Sequence, residues 1–534
     1  MGIRVILDID PKGIDAAAWE DCFEETLRLL RSHPARLMGY DVSEVFGTEL
    51  PVYTRDIERG RGTSRWRWSV VGDRESLLRA ECQELLRDLA AYRRRRSGPA
   101  CEDIVWWAAG DEDGGGPVRV FGDKTQGLPY HLPVLGAAMA VESRFPRQAM
   151  VSGDIDREQA LRAQRWVQDA LGRPVALPVR VDAPELARRL EPRFSGKKLI
   201  KAFARLYIGE SPVDELEAVL RAFPREVSEP WFASQLRQSP ADSVRAGWQL
   251  TAWLNATGDL RRLCELACVD ARGPRFEPRQ LVQALADAWL AVPPEATAFL
   301  DAFKRSEGEP PTIASALATS LLGQGALGRN LETRWKPEVV DERLREAFGD
   351  RAQELAALFR ARTKSIEDEL AQARAAFPAF AARAREGAVQ TAEELAVLGS
   401  AEQLTDHWRR QLHVLAHIAR RARGELLRSD GLGAGTLIED PDGCRKLLAR
   451  LHARGPVLTE SAWERIGAEN DPYVLQLLLG LASIDSFEEV FCQLRRAVFE
   501  NEALCRFMVE ASREVRLMEQ IASQPGGRDG EGAE

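Results

Sequence analysis

The stretch PVRVFGDKTQGLPYHLPVLGAAMAVESRFPRQAMVSGDID, residues 117–156, decides the fold class. Val118, Val120 and Phe121 are β-formers that follow a Gly-Gly-Gly-Pro breaker, so this run reads as a strand. Gly122 to Tyr130 is polar and rich in turn residues. Pro133 suits the first turn of a helix that continues to Phe145, and Pro146 ends it. Ala149, Met150 and Val151 read as a buried strand running into Ser-Gly-Asp. Asp156 with Gln159 three residues on has the spacing of a capping box, which starts the next helix. Alternating strands and helices define an α/β region. In open α/β sheets, ligands sit where strand C-termini feed loops and helix N-termini. Both GDKTQG and SGDID fit that place. Lys124, Thr125, Gln126, Ser152 and Asp154 are therefore the residues expected to bind a small anionic ligand or the acidic tip of a protein partner.

Working outward, Ile3 to Ile9 is an apolar strand, and Trp19, Cys22, Phe23, Leu27 and Leu30 recur at helical spacing over residues 15–31. A short strand is expected at 51–54, a strand at 65–71, one helix over 74–95 and a strand at 103–108. DEDGGG would turn that last strand into the one at 117–121 as a hairpin. Further strands are expected at 148–152 and 174–181, with a helix at 156–171 between them. Residues 1–182 thus read as one mixed α/β domain with helices on the faces of its sheet. After residue 182 strand patterning stops. The remainder reads as a long all-α region, an irregular bundle or solenoid, in blocks 183–308, 309–435 and 436–522. A polar, Gly-rich tail at 523–534 is expected to be disordered.

At 534 residues the chain is too long for one core. A hydrophobic fraction of 45% with 29% charged residues describes a folded globular protein. The net charge of -9 argues against general nucleic-acid binding, which needs a basic face. No run approaches the roughly 20 apolar residues of a membrane span. Eight cysteines are scattered without a CxxC pair, which reads as reduced thiols of a cytoplasmic protein. The preference for Arg over Lys, with abundant Ala, reads as the coding bias of a GC-rich bacterial genome. Cys264 and Cys268 lie one helical turn apart, as do His413 and His417, and both pairs read first as packing residues. The basic run Arg93–Arg96 reads as a solvated helix end.

The first strand ends in Asp8 and Asp10, within VILDID, and a later strand ends in Asp154 and Asp156, within SGDID. This pattern resembles the haloacid dehalogenase-like phosphatases. The resemblance implies Asp8 as nucleophile, Asp10 as acid/base, Asp8 and Asp154 as holders of magnesium and Lys124 as a phosphate-binding lysine. The sequence departs from that family at Lys12, where Thr or Val is expected. With no complete catalytic constellation legible, the primary expectation is a non-catalytic protein-interaction or regulatory protein of a bacterial cytoplasm. A magnesium-dependent phosphohydrolase and a ligand-sensing α/β domain coupled to a helical effector region are the alternatives.

Overall fold

The computed structural model describes residues 3–110, 116–297, 331–332, 334–386, 394–428, 438, 440–453, 455–484 and 489–513. Its strands are β1 (Val5–Ile9), β2 (Leu37–Val45), β3 (Thr48–Thr54), β4 (Glu58–Arg59), β5 (Arg67–Asp73), β6 (Arg79–Leu86), β7 (Val118–Phe121), β8 (Ala149–Gly153) and β9 (Leu458–Thr459). Strands with helices dominate the N-terminal part, and a long helical region follows. No helix among the described residues is long and apolar enough to cross a membrane.

The chain divides into two units, each discontinuous in sequence. The first comprises Met1–Leu29, Asp88–Asp123 and His131–Ala388; the second comprises Leu30–Arg87, Lys124–Tyr130 and Val389–Glu534. The strands expected in a single domain of residues 1–182 are therefore shared between two sheets. The boundaries expected near 308 and 435 lie outside the described residues, as does the tail at 523–534.

In the first unit the sheet has the order β7-β1-β8, and β1 is antiparallel to both neighbours. Val5, Leu7 and Ile9 of β1 are fully buried, as a central strand of alternating pattern requires. The helices here are α1 (Ala16–Arg31), α2 (Leu89–Arg95), α3 (Ile104–Ala108), α4 (His131–Arg144) and α5 (Arg157–Leu171). Asp156 and Gln159 form the expected capping box at the start of α5. Helix α4 is buried on nearly every side, from His131 to Glu142, so its sequence is apolar all round. It meets α5 at Gly136, where a Cβ would lie 2.5 Å from the Trp166 ring.

The helical array of this unit continues with α6 (Ala183–Leu190), α7 (Gly196–Leu206), α8 (Pro212–Ala222), α9 (Arg225–Leu236) and α10 (Val244–Thr257). Then come α11 (Leu260–Cys264), which runs into a π-helical turn at Glu265–Val269, α12 (Pro278–Asp287), α13 (Pro294–Thr297), α14 (Pro337–Phe348) and α15 (Ala352–Glu386). Helices close in sequence pack on one another, α7 on α8 and α9, α10 on α8 and α12, and α15 on α12 and α14. Cys264 and Cys268 sit at the π-turn, Cys264 inside the apolar core.

In the second unit the sheet has the order β4-β5-β2-β3-β9, with β6 on β5. Among the described residues only the β3–β9 pairing is parallel, so a strand from the late, helical part completes an otherwise antiparallel sheet. The helices are α16 (Asp406–Arg428), α17 (Pro441–His452), α18 (Glu460–Ala468), α19 (Pro472–Ala482), α20 (Glu489–Glu500) and α21 (Glu502–Arg513). Leu50 and Val52 of β3 enter the core that these helices form. Gly480 lets α19 approach α16; a Cβ there would sit 2.4 Å from the Ala419 carbonyl.

Four sequence expectations are corrected. Residues 104–108 are helix α3 rather than a strand, so no hairpin joins them to β7. Asp103 caps the helix by accepting the Val105 N–H, and it forms a buried ion pair with Arg189, which outweighs the β preference of Val-Trp-Trp. Residues 74–95 are not one helix but β6 followed by α2, because β6 pairs along β5. Residues 36–54 form a long hairpin, β2–β3, turned by Phe46 and Gly47, which both have positive φ. Residues 174–181 contain no strand; Val179–Val181 is a single 3₁₀ turn. Pro174 and Pro178 cannot donate to a ladder, and the Val179 N–H donates instead to Glu142.

Glu142 is the polar centre of this packing. Its carboxylate accepts the Val151 N–H at 2.6 Å and the Val179 N–H at 2.7 Å. Burial pushes its carboxyl up from 4.5 to about 7, against the lowering effect of those two N–H groups. The folded value lies above the unfolded one, so this group stabilises the fold most at acid pH. That contribution is lost as pH rises through the window from 4.5 to about 7. The stability of the wild type relative to Glu142→Gln, from urea unfolding, is predicted to fall by on the order of 3 kcal/mol across that window. A difference that stays flat with pH would contradict this.

Candidate functional site

The acidic strand ends are tied into structure separately. Asp10 is fully buried. It accepts the Arg96 Nε at 3.3 Å, the Lys12 N–H at 3.2 Å and the Cys101 N–H. Arg96 is also buried, so this is a desolvated ion pair that pins residues 96–101 to the end of β1. Asp8 pairs instead with exposed Arg119 on β7, at 3.1 Å. Asp154 accepts the Arg4 N–H at 3.0 Å, at the opposite end of β1. The register explains the separation. Asp8 faces Met150, whereas Val5 faces Gly153, so Asp154 lies roughly 10 Å or more along the strand from Asp8. The phosphatase resemblance needs Asp8 and Asp154 on one magnesium ion, as parallel strands would place them. The antiparallel β1–β8 pairing holds them apart. Among the described residues no group of three or more His, Cys, Asp or Glu side chains is placed to hold a metal ion.

The residues read from the two polar loops divide between the units. Lys124, Thr125 and Gln126 belong to the second, and Ser152 and Asp154 to the first. Strands β7 and β8 run parallel to each other, but β1 lies between them, so they are not neighbours. The loop after β7 is built onto β6. The Lys124 N–H donates to the Glu81 carboxylate at 2.7 Å, and the Glu81 N–H returns to the Lys124 carbonyl at 3.0 Å. Tyr130, fully buried, donates its hydroxyl to the Glu81 carbonyl at 3.0 Å. Gln126 and Gly127 both have positive φ and form the tip. Thr125 and Ser152 are buried, while Gln126 and Asp154 are exposed. Thus the loop is tied to β6 through the Lys124 backbone and Tyr130, while Asp123, Gln126 and Pro129 are exposed.

His413 packs edge-on against Phe507, 5.2 Å between ring centroids, which fits its reading as a packing residue. Arg93 of the basic run donates to the Pro11 and Ile14 carbonyls, and Arg96 lies in the buried pair with Asp10. The run is therefore structural at both ends rather than a solvated helix end alone.

A charged groove that the sequence reading missed lies in the first unit. It has a volume of about 570 Å³ and is lined by α8, the loop before it, the start of α5 and Glu332. Asp214 accepts the Tyr207 hydroxyl at 3.3 Å and the Glu210 N–H at 3.0 Å, which shapes its wall. Glu217 accepts Asn255 Nδ2 at 2.6 Å and pairs with Arg221 at 3.0 Å. Burial pushes the Glu217 carboxyl up to about 7, with Glu332 and Asp214 adding to the rise. Glu210 is pushed up by burial and then by Asp156 and Asp214. Arg157 and Arg221 are the cations of the lining. The signal was local: Glu210, Asp214 and Glu217 recur at helical spacing across the cap of α8.

Neither a family model, nor a curated protein, nor a solved structure matches the chain. The two acids of β1 separate cleanly in their energetics. Asp10→Asn leaves Arg96 buried beside a neutral side chain and is predicted to cost about 3–5 kcal/mol. Asp8→Asn removes a pair whose arginine is exposed and is predicted to cost less, about 1 kcal/mol. Guanidinium denaturation of both variants checks the order; equal losses would contradict the buried-pair account.

Proposed function

We propose that the protein is a non-catalytic interaction protein of a bacterial cytoplasm, and that its helical array receives a basic segment of a protein partner in the groove at α8. One observation carries this reading. Glu210 and Glu217 have their carboxyls pushed up in the same groove, by burial and by neighbouring carboxylates. The neighbouring carboxylates repel one another there, and a cationic side chain entering the groove offsets that repulsion. The volume of about 570 Å³ suits a few side chains of an extended or helical segment. An array of helices packed on their near neighbours in sequence also supports the reading, since such arrays present long surfaces to partners. The eight cysteines, all free thiols, fit a reducing compartment.

The probe is a fluorescent oligolysine peptide titrated into the full chain. Binding is predicted to weaken with added salt over the range where the Debye length falls from about 10 Å to about 3 Å. It is also predicted to weaken as pH falls below about 7, where Glu217 takes up its proton. Glu210→Gln with Glu217→Gln should reduce affinity roughly tenfold, a loss of about 1.4 kcal/mol. Equal affinity of this double variant and the wild type would overturn the reading.

A further inference from the structure

Four arginines of the second unit, Arg31, Arg36, Arg55 and Arg74, gather around one pocket, and the last makes no ion pair among the described residues. Leu37 of β2 faces Asp73 of β5, so the residues just outside that pairing, Arg36 and Arg74, stand opposite each other. Their backbones are joined by the Arg74 N–H donating to the Arg36 carbonyl at 3.0 Å. Like charges directly opposite on antiparallel strands are destabilising. Arg36 also has φ of 44°, in the left-handed region that a residue with a Cβ adopts at a cost. Repulsion and backbone strain thus fall on the same residue.

The side chains around this pair do not remove the charge. Arg36 has Glu75 at 3.7 Å, with both side chains more than half exposed. Such a pair contributes little. Arg74 is half-buried and makes no ion pair among the described residues. Arg31, Arg55 and Asp56 complete a pocket of about 410 Å³ with Leu30, Leu37 and Ile57, and Asp56 is the one carboxylate of that lining. Arg31 is already bonded to Asp56 at 2.9 Å and Glu58 at 2.7 Å, and Arg55 is forked onto Glu464. These two arginines are therefore fixed walls, while Arg36 and Arg74 have their guanidinium groups to offer.

We infer that this pocket is a binding site for a phosphate monoester. The Arg74 guanidinium, without an ion pair among the described residues, and the Arg36 guanidinium, held only by an exposed pair with Glu75, together match a dianion, and the planar arginine fork fits phosphate oxygens in pairs. The volume exceeds that of a bare phosphate and leaves room for a small organic body over Leu37 and Ile57, both buried. Bound phosphate sits between Arg36 and Arg74 and turns their repulsion into attraction. The site is independent of the groove at α8.

The experiment titrates the full chain with inorganic phosphate, glycerol phosphate and a phosphoserine peptide, by calorimetry. Saturable binding of a monoester at low millimolar concentration or below is expected. It should weaken as pH falls through about 6, where a phosphate monoester takes up its second proton. A tighter glycerol phosphate assigns the site to a free metabolite, and a tighter peptide to a phosphorylated partner; either supports the site. Two variants give the decisive signature. Arg36→Gly and Arg74→Gln should each reduce affinity about tenfold or more, with a melting temperature equal to or above that of the wild type. Arg421→Gln, in α16 and outside the pocket, should leave binding unchanged. Absence of monoester binding in the wild type, or retention of full affinity by both pocket variants, would overturn the inference.

Discussion

The antiparallel seating of β1 between β7 and β8 is the constraint on which the first unit depends. It buries Val5, Leu7 and Ile9 completely and fixes which residues share an end of the sheet. Asp8 and Asp10 leave one end; Asp154 and the first residues after β7 leave the other. Acidic residues at strand ends serve chemistry when the ends coincide. Here they serve as anchors. Asp10 neutralises a buried arginine, Asp154 holds the chain entering β1, and Asp156 caps α5. Each carboxylate is used where it stands, and none is brought to another.

Much of the first unit was legible because its signals are local. The strand at 118–121, the helix ended by Pro146, the buried strand at 149–153 and the capping box at Asp156 all rest on neighbours within a few residues. The failures share the opposite character. Asp103 to Ala108 carries strong β-formers, yet a cap and a buried pair with Arg189, 86 residues away, make it helical. Residues 79–86 carry helix formers, yet β5 supplies a ladder. The strand at 458–459 is two residues long and exists only because β3 is there to pair with it. No local pattern announces such contacts, and propensity yields to them.

Sites were harder to read than elements for a related reason. Lys124, Thr125 and Gln126 looked like a ligand loop because they are polar and follow a strand. In the structure the backbone of that loop is spent on Glu81 and the loop's own Tyr130 is buried beneath it. Polarity in a loop thus leaves open how much of its backbone is held by distant strands. The charged features that stand out physically are clusters of like charge: carboxylates pushed up at α8, and two arginines opposite each other beside β2. The first had a signal in the spacing of Glu210, Asp214 and Glu217. The second had none, since Arg36 and Arg74 meet only through strand register.

The antiparallel pairing of β1 and β8 sets Asp8 and Asp154 at opposite ends of the strand pair. Paired cysteines test it directly. Ile6 faces Ser152 across the strands, whereas Asp8 faces Met150. Oxidation of Ile6→Cys with Ser152→Cys, followed by peptide mass mapping against the eight native cysteines, should yield a cross-link between the introduced residues. Asp8→Cys with Ser152→Cys should yield none. A cross-link in the second pair and not the first would mean parallel strands, with Asp8 beside the end of β8, and the account would fail.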